Sequence, residues 1–148
     1  MGITFKIRQS IYAGTLFLII LSGFGQMPIF KRYYIADIPG LGWLAQFYVT
    51  HMIHYIAATV LIGFVTYVLI DFILNGMGKG RISGSGYARI VILAGLIVSG
   101  AMMVIKNLPG VYFNHSVIIA LDLFHLGSCV ILLLVSFYSL ILKKRWVN

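Results

Sequence analysis

Charge is what this sequence has least of. Only 9% of its 148 residues are charged, and just 3 are acidic. A soluble domain keeps about a quarter of its residues charged, so a water-surrounded globular fold is excluded. The 1 cysteine, Cys129, sits inside an apolar run. It excludes an intramolecular disulfide and a thiolate cluster for iron–sulfur binding, and is read as core packing. There is no Ser/His/Asp arrangement and no glycine-rich phosphate loop ahead of a helix. The chain has no catalytic constellation of its own, and any enzyme activity would belong to a larger complex.

What is present is apolar: 61% of residues are hydrophobic, and the mean hydropathy is +1.02. The expectation is an integral membrane protein in contact with lipid. The net charge of +8 does not point to nucleic acid. The basic residues lie in short segments between apolar runs, with no basic stripe or stacking platform outside the bilayer.

Spanning the hydrocarbon takes about 20 apolar residues. Four segments qualify, at approximately 10–30, 42–74, 88–105 and 116–142. The first is read as a retained helix ended by Pro28, since it is too long for a signal peptide and lacks a small-residue cleavage site. The second is longer than a span needs, so it tilts or projects. The connections are short and carry turn chemistry at Pro39-Gly40, in the Gly/Ser-rich stretch 75–86, and at Pro109-Gly110. The fold class expected is all-α: a single integral membrane four-helix bundle over 1–148.

Lysines and arginines orient it. Lys6, Arg8, Lys79, Arg81, Arg89, Lys143, Lys144 and Arg145 fall on one side; Lys31, Arg32 and Lys106 fall on the other. The excess marks the inner side and puts both termini in the cytoplasm. Small residues within the spans, among them Gly23, Gly25, Ala57, Gly95 and Gly100, permit close helix approach.

Histidine is the notable polar residue inside these runs. On this topology helices two and four run the same way. His54 lies 16 residues before Ile70, at one inner end, and His125 lies 17 before Leu142, at the other. At 1.5 Å per residue both sit roughly 24 to 26 Å above the inner boundary. An imidazole in hydrocarbon is expensive unless paired, and so marks a candidate site. Two imidazoles at one depth on two helices suit the two axial positions of a haem iron. His54 and His125 are therefore the candidate ligands of one haem b near the outer face. His51, one turn above His54, is an alternative ligand, a group beside the haem, or a quinone contact. His115 falls outside the hydrocarbon as an interfacial loop residue. Zinc held by His51, His54 and His125 is the chemical competitor, although no cysteine is placed to help. Asp122 reads equally as a proton-exchanging group for quinone chemistry or as an interfacial carboxylate pairing Lys106, Lys31 or Arg32. Asp71 reads as a helix-end residue.

Four spans, "LSG" at Leu21–Gly23, "SG" at Ser99-Gly100, and histidines in helices two and four resemble the cytochrome b subunits of respiratory formate dehydrogenases. The cytochrome b subunits of nickel-iron hydrogenase and thiosulfate reductase are relatives of that family. The resemblance spans nearly the whole chain on short motifs. It implies a multi-pass protein of the prokaryotic cytoplasmic (inner) membrane. Such a subunit carries electrons between peripheral iron–sulfur, cytochrome c or molybdopterin-type redox subunits and the quinone pool. It also implies His54 and His125 as ligands of the outer haem. The family's inner haem would need histidines at Gln9 or Ser10 and at Ser139; both are missing, so one haem is expected. The family's quinone site adjoins that inner haem and does not carry over: either quinone binds near the outer face, around His51, Asp122, Lys106 and the Lys31-Arg32 loop, or another subunit supplies its site. The alternatives are a haem-free membrane anchor or assembly subunit, and a small proton-coupled transporter using a His/Asp relay.

Overall fold

The computed structural model describes residues 3–27, 34, 37–76 and 82–142. Pro28, Lys31, Arg32, Lys79, Arg81, Lys143, Lys144 and Arg145 lie outside the described residues, so the topology charges assigned to them do too. Among the described residues the structure is all-helical, with four helices long and apolar enough to cross a membrane. They are α1 (Ile3–Gly25), α2 (Phe47–Asp71), α3 (Gly84–Ile105) and α4 (His115–Ile141). The chain parts into two compact units, one ending at Leu74 and the other beginning at Asn75. Each is a hairpin of two helices, α1 with α2 and α3 with α4.

In the first hairpin the helices begin and end where polar groups find partners. α1 starts at Ile3, ahead of the apolar run that begins at Ser10, and carries Lys6 and Arg8 within it. Arg8 Nη1 donates to Asp71 Oδ2 at 2.8 Å, and its Nη2 to the Tyr67 hydroxyl at 2.9 Å. Asp71 thus does more than end a helix: it ties α2 back to α1 at the end away from the hairpin's loop. The second apolar segment is divided. A short 3₁₀ turn, Gly42–Ala45, precedes Gln46, whose extended backbone interrupts the helical path before α2. From Phe47 the helical run reaches Asn75, 29 residues in all, or about 43 Å. That exceeds the roughly 30 Å of hydrocarbon, so α2 tilts or extends past it.

The seam of this hairpin is made of small residues. Ser22, Gly25, Thr50 and Ala57 are buried, as close packing of helices in lipid favours. Ser22 and Thr50 satisfy their hydroxyls on backbone carbonyls of their own helices. Leu44, only 1% exposed, wedges the 3₁₀ turn against the end of α1. Outward residues such as Phe17, Met52, Ile56 and Leu69 are exposed and apolar. They suit a lipid surround.

The second hairpin is capped at the start of both helices. Ser83 Oγ accepts from Gly86 N at 3.0 Å, and Asn114 Oδ1 accepts from Ser116 N at 3.1 Å. Such caps satisfy amides that the first helical turn cannot. The loop turns at Gly110, whose φ of +81° lies in the left-handed region that suits glycine. Gly86, Leu93, Ser99, Leu132 and Ser139 are buried, and so is Arg89. Arg89, a charge at the start of α3, is thus buried and not exposed.

The close approach at Gly25 yields a prediction. A Cβ there would lie 3.0 Å from Thr50 Cγ2 and 3.2 Å from the Leu44 carbonyl oxygen, whereas one at Gly63 would meet nothing within 4 Å. Gly25→Ala should destabilise the protein by about 1–3 kcal/mol through overpacking. Gly63→Ala should be neutral or stabilising. Thermal or denaturant unfolding in detergent distinguishes them.

Candidate functional site

Each hairpin contains the same small constellation. In the first, Ser22 and Gly23 lie on α1 and His54 on α2. The Ser22 hydroxyl is 2.6 Å from the Leu18 carbonyl oxygen, four residues back on its own helix. His54 Nδ1 lies 3.1 Å from Ser22 Oγ and 3.1 Å from the Ile19 carbonyl oxygen. In the second, Ser99 and Gly100 lie on α3 and His125 on α4. The Ser99 hydroxyl is 2.8 Å from the Gly95 carbonyl oxygen, and His125 Nδ1 is 2.8 Å from Ser99 Oγ.

A serine hydroxyl has one proton to give, and each of these two lies within reach of carbonyls three and four residues back on its own helix. With the proton there, Ser22 Oγ and Ser99 Oγ are left to accept from an imidazole that carries its proton at Nδ1. The Ile19 carbonyl, which can only accept, requires the same of His54. A neutral ring protonated at Nδ1 carries its lone pair at Nε2. A ring in that tautomer would meet a metal through Nε2.

The glycine after each serine makes room for the ring. A Cβ on Gly23 would lie 3.3 Å from His54 Cε1, and one on Gly100 would lie 3.4 Å from His125 Cε1. In each hairpin the histidine belongs to the part of the second helix nearer the loop, and is half-buried.

His51 has a different setting. Its Nδ1 is 3.0 Å from Gln26 Oε1, and Gln26 Nε2 donates to the Ser22 carbonyl at 3.4 Å. Its ring stacks on Phe47 at 5.1 Å and meets Tyr55 at 4.2 Å. His51 is thus an aromatic-flanked imidazole one turn loopward of His54, tied to α1 through a glutamine. Asp122 and Lys106 belong to the second hairpin. Asp122 Oδ1 accepts from Lys106 Nζ at 3.4 Å, and the carboxylate side chain is 51% exposed. His115 is the exposed first residue of α4. Cys129 is half-buried and free of disulfide.

Among the described residues no group of three or more His, Cys, Asp or Glu side chains is gathered to hold a metal ion. His51 and His54 belong to the first unit and His125 to the second. Gln9 and Ser10 are exposed on α1, and Ser139 is buried in the second hairpin with no hydrogen-bond partner for its hydroxyl among the described residues.

In the sequence the two serines stand only within short motifs, Leu21–Gly23 and Ser99-Gly100. Their role as partners of the histidines was not read from the sequence, nor was the Gln26–His51 contact. The signal was present: a Ser-Gly pair in the first helix of each hairpin and a histidine in the second. No family model matches the chain, and no curated protein or solved structure matches it.

Truncating Gln26 should expose what holds His51. Gln26→Ala removes the Nδ1 acceptor and should cost about 0.5–1.5 kcal/mol, the net worth of one hydrogen bond. The loss is read by unfolding in detergent. The same cost in a His51→Ala background would show that the glutamine acts elsewhere.

Proposed function

We propose that this chain is a membrane cytochrome b subunit of a respiratory redox complex. His54 and His125 would hold one haem b. The observation that supports the reading is the twofold Ser-Gly/His constellation. One histidine in each hairpin is held through Nδ1 and given space by a glycine. Two imidazoles from separate elements are the donor set that a six-coordinate haem uses. When bound, haem b supplies a one-electron store, and two nitrogen ligands suit it to electron transfer.

This chain's own residues orient and hold that group. Ser22, the Ile19 carbonyl and Ser99 keep the two rings in the ligating tautomer. The apolar surroundings keep water from competing for the ligand nitrogens. On the basic-residue count, the haem belongs near the outer face and both termini belong in the cytoplasm, of a prokaryotic inner membrane. The partners proposed are a peripheral iron–sulfur, cytochrome c or molybdopterin-type subunit on one hand and the quinone pool on the other. His51, between two aromatic rings and anchored by Gln26, is the proposed quinone contact. The Asp122–Lys106 pair is the proposed exchanger of protons with water.

The test is a pyridine haemochrome assay with a dithionite-reduced spectrum on purified protein. One haem b per chain is expected, lost in His54→Ala and in His125→Ala and kept in His51→Ala. Haem lost with His51 but kept without His54 would transfer the ligand role to His51. A folded wild-type protein that takes up no haem would overturn the reading in favour of a haem-free anchor or a transporter.

A further inference from the structure

We infer that Ser22 and Ser99 are positioning residues that set the electron-donating strength of the two histidines. The inference rests on the reading of His54 and His125 as iron ligands. It goes beyond that reading because it assigns a tuning role to two hydroxyls.

Three observations carry it. First, each hydroxyl has a carbonyl four residues back to donate to, at 2.6 Å for Ser22 and 2.8 Å for Ser99. Each oxygen is thereby left able to accept from Nδ1–H of the ring beside it, at 3.1 Å for His54 and 2.8 Å for His125. Second, both serines are sealed from solvent, Ser22 at 0% and Ser99 at 2% exposure. Water does not take over the acceptor's part. Third, the arrangement occurs once in each hairpin, with glycine following the serine both times. One such contact would be ordinary helix packing; the same contact on each candidate ligand, and in the same sense, is a matched pair.

The chemistry follows from the bond direction. Donation from Nδ1–H places partial negative charge on the ring and makes Nε2 a stronger donor to a metal. A stronger donor favours the more highly charged ferric iron, so each serine holds the midpoint potential down. Removing the acceptor weakens the donor and lets the potential rise. Ser22 shares its ring with the Ile19 carbonyl, which remains at 3.1 Å after the change, so its loss is buffered. Threonine keeps the function, because its hydroxyl can bond the carbonyl of the preceding turn as serine does and still accept from the ring.

The experiment compares wild type with Ser22→Ala, Ser99→Ala and Ser99→Thr, purified whole in detergent. Haem content, midpoint potential by redox titration and the low-spin electron paramagnetic resonance spectrum are read on each. The expected result is full haem content with a raised midpoint potential and altered low-spin g values in Ser99→Ala. A smaller shift is expected in Ser22→Ala, and near wild-type values in Ser99→Thr. Loss of haem from Ser99→Ala but not from Ser99→Thr carries the same meaning. Unchanged potential and spectrum in both alanine variants would overturn the inference and leave the haem assignment standing. So would equal effects of alanine and threonine at position 99, which would point to packing alone. If the wild type takes up no haem, the functional reading fails and the tautomers decide. Histidine ¹⁵N spectra should then show Nδ1–H rings at His54 and His125 in wild type. Growth of the Nε2–H form in the alanine variants supports the serine role, and its absence refutes it.

Discussion

An imidazole in a hydrocarbon surround must find its hydrogen-bond partner within the chain, since lipid offers none. Much of what is specific about this structure follows from how that demand is met. In each hairpin the histidine reaches a serine on the preceding helix, and the serine reaches its own backbone. The contact that makes each histidine tolerable in an apolar surround also fixes how its ring is held.

Close approach is the condition for such contacts, and small residues supply it. Hydrophobic burial gives little reason for helices to associate in lipid; packing and interhelical hydrogen bonds take its place. Hence the buried set is dominated by Ser22, Thr50, Ala57, Ser99 and Ser139 beside a handful of leucines. At the end of the first hairpin away from its loop, Arg8, Asp71 and Tyr67 close the two helices with charge and an aromatic ring, the guanidinium lying 5.1 Å from the ring centroid. Near the loop of the second, Lys106 and Asp122 make a longer and more exposed pair.

Hydropathy and turn chemistry made the helices legible. Long apolar runs separated by Pro-Gly pairs leave few other folds in reach, and Pro109-Gly110 turns the second hairpin where expected. Helix ends were less legible because partners decide them. Lys6 and Arg8 look like the edge of a span, yet α1 continues through them since Arg8 finds Asp71 across the hairpin. Gln46 carries no breaker signal; its extended backbone is set by the 3₁₀ turn that seats Leu44 against Gly25. The histidines stood out by type alone. Their serines did not, since a serine inside a membrane helix ordinarily needs only its own backbone, and the second bond is a property of two helices together.

The spacing of the two constellations explains why the repeat stayed hidden. Ser22 precedes His54 by 32 residues, whereas Ser99 precedes His125 by 26. A repeat sought at one fixed period would miss it, because the connecting segments differ in length and only the helical positions correspond. The longer first connection contains the 3₁₀ turn and the Gln46 break; the second closes through Pro109-Gly110 alone. What recurs is a local rule: serine then glycine on the outgoing helix, histidine on the returning one. Loop length is nearly irrelevant to that rule, since doubling a flexible loop adds only about 0.6 kcal/mol of closure cost. Geometry at the helix contact is decisive, because a few tenths of an ångström separate a seated ring from a crowded one. The chemistry therefore recurs where the helices touch, while the connections between them have been free to differ.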